Sequence, residues 1–188
     1  MKILIIPEDF RKDQFILKPI FDRLFQMLNW PNARVRVCVA PLLQGVSEAL
    51  KHERIQEIIE RYPMVDQFIL CVDRDGVAGR QMQLNRLESA FSASTRFLAV
   101  NAWEELETWV LAGLDLPSAW SWSAVRNEIS VKERYFEPLA RQKGVADGPG
   151  GGRKALAEQA SHKIAAIRQK CVEDFDDLAV RLIALDQP

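Results

Sequence analysis

The chain has 188 residues, 48% hydrophobic and 27% charged, a balance that suits one globular domain with a real core and excludes disordered and collagen-like classes. Its formal net charge is −1, so bulk electrostatics draw it neither to nucleic acid nor to an anionic membrane, and any contact with nucleic acid must be local. Cys38, Cys71 and Cys171 stand far apart without a CxxC pair, the pattern of reduced thiols, which makes the cytoplasm the expected compartment.

The opening run Ile3-Leu4-Ile5-Ile6 stops at Pro7 and reads as a strand buried on both faces. About four apolar residues are too few for a signal-peptide core, and no later stretch approaches the roughly 18 of a membrane span, so neither export nor insertion is expected. Asp13 is placed to cap a helix running to Leu28, with Phe15, Ile16, Ile20, Leu24 and Leu28 at helical spacing and Pro19 as the one objection. Ala33 to Ala40 alternates valines with Arg34, Arg36 and Cys38, the pattern of a half-exposed strand toward the sheet edge, and Gln44 to Tyr62 returns to helical period. Phe68 to Val72 is a second buried strand, ended by Asp73-Arg74-Asp75-Gly76. A polar helix around Arg80 to Phe91, a strand at Arg96 to Val100 and a helix opened by Trp103-Glu104-Glu105 follow.

This alternation predicts an α/β fold with a mostly parallel central sheet of about four strands and helices on both faces. After Gly113 come a Trp-rich turn (Trp120, Trp122), a polar segment, and the run Gly148-Pro149-Gly150-Gly151-Gly152, which reads as a mobile loop unless something binds there. A final helix is expected from Lys154 to Leu185, with an interruption at Cys171 to Phe175. The expected organisation is an α/β core over 1–113 and a helical extension over 114–188 packed on it as one compact unit.

Ligands of parallel α/β sheets gather beyond the carboxyl ends of the strands. Glu8 and Asp9 follow the first strand, and Asp73 and Asp75 end the third. In an extended chain residues i and i+2 project to one side, so Asp73 and Asp75 can present two carboxylates to one cation while Gly76 allows the turn away. Carboxylates this close repel unless a proton or a cation relieves them. Hard oxygen donors without nearby His or Cys suit Mg²⁺, with Mn²⁺ as substitute, and argue against zinc. The alternative open to the same residues is that Asp73 caps the next helix and Asp75 occupies a turn.

A Glu after the first strand and a DxD after a later hydrophobic strand, Phe68-Ile69-Leu70-Cys71-Val72-Asp73-Arg74-Asp75-Gly76, resemble the TOPRIM domain of topoisomerases, primases and OLD-type nucleases. More closely, the chain resembles a small stand-alone TOPRIM-like family discussed beside phage-defence nucleases. Glu105-Leu106-Glu107-Thr108-Trp109 is similar to that family's helix start after the fourth strand, and Ile167 to Asp176 to its C-terminal segment. The resemblance implies Glu8 as general acid/base or outer ligand, Asp73 and Asp75 as metal ligands, and Glu105 and Glu107 near the metal. It implies a metal-dependent nuclease or phosphotransfer enzyme. One departure is Asp9, where TOPRIM domains usually carry Gly; it either restricts the backbone or adds a ligand.

Glu104 reads as a structural residue at a helix start, and Trp109 as core. Arg74 and Arg80 flank the DxD turn, and Arg153-Lys154 follows the glycine run at a helix start, with Lys154 the leading phosphate contact. The alternative is that these cations are solvated surface residues. His52 and His162 are expected to be exposed. Two functions therefore compete: a Mg²⁺-dependent nuclease acting on nucleic acid, and an accessory subunit of the same fold serving a partner such as an ATPase, with oligomer formation compatible with both.

Overall fold

The computed structural model describes residues 1–185. Its strands β1 (Lys2–Pro7), β2 (Arg34–Val37), β3 (Gln67–Asp73) and β4 (Phe97–Ala102) form one sheet in the order β2-β1-β3-β4, every pair parallel. Ile3, Ile5, Ile69 and Cys71 enter the core on one face; Leu4, Ile6, Phe68, Leu70 and Val72 enter it on the other. Because both faces are covered, β1 and β3 read as unbroken aliphatic runs rather than alternating ones. The chain passes from β1 to β2 through α1 (Phe10–Met27) on the first face. It then travels in the opposite direction to β3 and β4 through α2 (Val46–Ala49), α3 (His52–Arg61) and α4 (Arg80–Phe91) on the second, as right-handed crossovers demand. Strand order thus reverses between β1 and β3, and the connections part there at the carboxyl ends.

The remaining helices are α5 (Glu107–Ala112), α6 (Trp122–Arg126), a π-helical turn (Lys132–Phe136) continuing into α7 (Glu137–Gln142), α8 (Arg153–Ser161), α9 (Ile164–Lys170), and a second π-helical turn (Val172–Asp176) continuing into α10 (Asp177–Leu185). They join the cluster on the α1 face, where Trp109 meets Phe175 at 5.0 Å and Phe21 at 6.4 Å, both edge-on. At Gly113 a Cβ would lie 2.6 Å from the Ala160 carbonyl, so the end of α5 runs against α8 with no room for a side chain. Asp174, 3% exposed, accepts from the Trp103 amide, the Trp109 indole and Arg126, whose guanidinium also stacks on Trp103. A buried carboxylate with this many donors locks the second π-helical turn to β4 and α5.

Several boundaries differ from the sequence reading. The first long helix starts at Phe10 with Asp9 as its cap, and Asp13 sits one turn inside, its carboxylate accepting from the Asp9 amide at 3.0 Å. The Gln44 to Tyr62 segment divides because Lys51 adopts an extended conformation that re-aims α3, bringing Ile55 and Ile58 onto the sheet. β4 reaches Ala102 because Asn101 and Ala102 stay in register with Val72 and Asp73. The helix after it begins at Glu107 rather than Trp103, since Glu104 (φ 66°) belongs to a turn. The polar segment before the glycines is helical in part. The last helix is broken at Lys163 as well as at Cys171. The glycine run is not a free loop: Gly150 lies against the Phe15 ring, and the Gly151 and Gly152 amides donate to the Gly148 carbonyl. Among the described residues no helix is long and apolar enough to cross a membrane.

Candidate functional site

The register Pro7↔Cys71 brings Glu8 beside Asp73 at the reversal point between β1 and β3. The Asp73 amide donates to Glu8 Oε2 at 3.3 Å, and Asp73 Oδ1 accepts from the Leu106 amide at 2.8 Å. Strand alternation turns Glu8 toward the α4 face and Asp73 toward the α1 face. On that second side Asp13 arrives from the first turn of α1, and Glu107 from the start of α5. Burial, and then the charges of Glu107, Glu8 and Asp13, push the Asp73 carboxyl well above its ordinary range. Burial followed by Glu8, Glu107 and Asp9 raises Asp13 to about 7, although the Asp9 amide works the other way. Glu8 is raised mainly by burial, against the Asp73 amide, with Asp75 and Asp9 adding to the rise. Asp13 carries no signal in its local sequence beyond that of a cap; only the first turn of α1 following directly on β1 delivers it here.

The positive counterweights are two arginines. Glu107, 4% exposed, is ion-paired with Arg153, which also donates to the Gly150 carbonyl at 2.7 Å, so Arg153 faces inward rather than toward an external phosphate. Arg80, 6% exposed, donates one Nη to Gln83, leaves Nε without a partner, and has a charge that reaches Glu8. Asn101 stands in register with Val72 and therefore on the same face of the sheet; it is 6% exposed with Oδ1 unsatisfied. Arg80 and Asn101 both leave a buried polar atom without a protein partner among the described residues, on the sheet face that carries Glu8. Asn101 carries no sequence signal, being a single polar residue inside an otherwise apolar strand.

After Asp73 the chain does not remain extended. Asp75 (φ 53°) and Gly76 (φ 68°) turn in the left-handed region, which overrides the i, i+2 projection expected for Asp73 and Asp75. Glu104 holds this turn: its carbonyl accepts from the Arg74 and Asp75 amides, and its carboxylate accepts from the Gly76 amide and from Arg74 at 2.8 Å. Arg74 is thereby committed, stacked 4.0 Å from the Trp103 ring centroid. Asp75 is exposed, within electrostatic reach of Glu8. Asp73 does not cap α4, whose N-terminus is at Gly79.

The other sequence candidates are placed as follows. Glu105 accepts from the Lys132 amide at the start of the first π-helical turn; burial, Glu107 and Glu133 raise it to about 7, against the Lys132 amide. Asp9 is extended (φ −128°), so its backbone does not require glycine; its carboxylate caps α1 through the Arg11 amide. It lines a cavity of about 470 Å³ with Glu8, Arg11, Leu43, Gln44 and Gly45. Lys154 is exposed on a different cavity, of about 580 Å³, between α1, β2 and α8, and its amide is occupied by the Pro149 carbonyl. His52 and His162 are exposed.

Among the described residues no group of three or more His, Cys, Asp or Glu side chains is spaced to enclose a metal ion. Glu8, Asp13, Asp73 and Glu107 nevertheless each keep one carboxylate oxygen free of hydrogen bonds among the described residues. Hard oxygens under mutual repulsion fit an ion such as Mg²⁺, which retains several waters and takes only one or two protein carboxylates. Comparison with protein-family models, with curated proteins and with solved structures finds no significant match to this chain.

Proposed function

We propose that the protein is a Mg²⁺-dependent nuclease or related phosphotransfer enzyme of TOPRIM type, acting in the cytoplasm on nucleic-acid phosphodiesters, with phage defence as its setting. The observation that carries this reading is the meeting of Glu8 and Asp73 at the strand-order reversal, with the unpartnered Nε of Arg80 within electrostatic reach of Glu8. Asp73 would hold the ion, Mn²⁺ serving as substitute, with Glu107 behind it, and Asp75 would reach it from the exposed turn on the Glu8 side. When bound, such an ion supplies charge stabilisation at a phosphodiester oxygen and acidifies a water. Glu8, whose burial favours the protonated form more than in an ordinary Glu, is placed to accept and return a proton. Arg80 would bind a non-bridging phosphate oxygen, and Arg74 would hold the turn while lending its charge.

The test is a panel of single- and double-stranded DNA and RNA with Mg²⁺ or Mn²⁺, alone and with co-purifying protein. Cleavage that needs the metal and is lost in Glu8→Gln and in Asp75→Asn is the expected result; cleavage surviving both together overturns the reading. One observation favours a second function, that of an accessory subunit to a partner such as an ATPase: Arg153 already neutralises Glu107, leaving a weaker ion site. No cleavage of any substrate, with weak metal binding retained, would establish that alternative.

A further inference from the structure

β2 is an edge strand, and its outer side is open. The Arg34 and Cys38 amides donate inward, to the Met1 and Ile5 carbonyls of the β1 side. In a parallel pair the intervening residues alternate outward, so Val35 and Val37 present their N–H and C=O groups away from the sheet. No loop or side chain among the described residues bonds to them.

The two faces flanking that edge differ. On the α1 face lies the 580 Å³ cavity, with Val35, Val37, Phe10, Phe15 and Pro19 as an apolar floor and Lys154 at its rim. On the opposite face a cavity of about 310 Å³ carries Arg34, Arg36 and Arg61 beside Tyr62 and Met64. The two share Leu4, Arg36 and Tyr62, so they form one groove wrapped around the edge. Arg34, Arg36, Arg61 and Lys154 are exposed, and none is in an ion pair among the described residues. Of the two acids lining the groove, Asp22 is taken up by Lys18, leaving Glu158.

We infer that this edge receives an extended acidic segment of a partner protein, added to β2 as a fifth strand. Main-chain bonds to Val35 and Val37 supply affinity, and side chains alternate between the two faces. The alternation fixes the chemistry of the segment: apolar residues toward Val35 and Val37, Asp or Glu toward Arg34, Arg36 and Arg61. Four residues of β2 at about 3.3 Å each offer pairing for about four or five residues. A second copy of this chain is disfavoured, because antiparallel β2 pairing would set Arg34 and Arg36 against their own counterparts. A nucleic-acid strand would leave the apolar floor and the outward amides unused. The inference is independent of the chemistry at Glu8 and Asp73.

The probe is a fluorescein-labelled ten-residue peptide alternating Val with Glu, measured by anisotropy on the full chain at 0.15 M salt. Binding is expected, with a loss of about tenfold or more in Arg34→Glu/Arg36→Glu and new exchange protection at the Val35 and Val37 amides. The same peptide N-methylated at alternate residues, made in both phases, leaves the protein untouched; one phase should lose binding. If both methylated phases bind like the parent, strand addition is wrong. If the peptide fails while a ten-nucleotide single strand binds and is lost in the double variant, the groove serves nucleic acid and the inference fails. Failure of both probes overturns it as well.

Discussion

Asp13→Asn should stabilise the metal-free protein at alkaline pH and change little near pH 4. The folded protein holds the Asp13 proton up to about pH 7, against 3.8 for an ordinary Asp. Between those values the folded state binds more protons than the unfolded one, so stability falls as pH rises and levels off above about 7. At about 1.4 kcal/mol per pH unit the full penalty is about 4 kcal/mol; solvent screening at this partly exposed site reduces it to about 2 kcal/mol. Asparagine keeps an oxygen for the Asp9 amide, now bonded at 3.0 Å, so the helix start survives while the charge goes. For a chain of this size about 2 kcal/mol moves Tm by about 4–8 °C. Thermal unfolding followed by circular dichroism from pH 4.5 to 8.5, with chelator present, should show the variant gaining on the wild type as pH rises. Equal differences at both ends, or a variant less stable throughout, would refute the electrostatic reasoning.

Asp174→Ala leaves Arg126 with only the exposed Glu173 as its ion partner and the Trp109 indole without an acceptor; a loss of about 3 kcal/mol is expected, read as a fall in Tm. Gly113→Ala forces a Cβ against the Ala160 carbonyl and should cost about 1–3 kcal/mol in chemical denaturation, most of it recovered only if α8 can shift. Glu104→Ala releases Arg74 and the Gly76 amide and should weaken Mn²⁺ binding by about tenfold in calorimetric titration, with the fold retained; unchanged affinity would show that this turn does not organise the metal site. Asp73→Asn should weaken Mn²⁺ binding in the same titration while leaving the chelated protein as stable as the wild type or more so, because it removes a charge that burial and Glu107 already oppose.

What the sequence determined by itself was the layer architecture. Aliphatic runs at Ile3–Ile6 and Phe68–Val72, each followed by an acidic turn, specify buried parallel strands whose ends carry carboxylates, because only strands covered on both faces lose their alternation. The half-exposed pattern of Arg34 to Val37 likewise specified an edge. What only the tertiary structure decided was which carboxylates meet and which cations remain free. Asp13 and Glu107 reach Asp73 through the packing of α1 and α5 on one face, a long-range relation with no local signature. Arg153 turns inward to Glu107, and Glu104 folds back over the Asp73–Gly76 turn, since buried polar groups must find partners wherever the chain supplies them. Local sequence encodes the period of burial on each element; the identity of the neighbour across the core is fixed only when the elements close on one another.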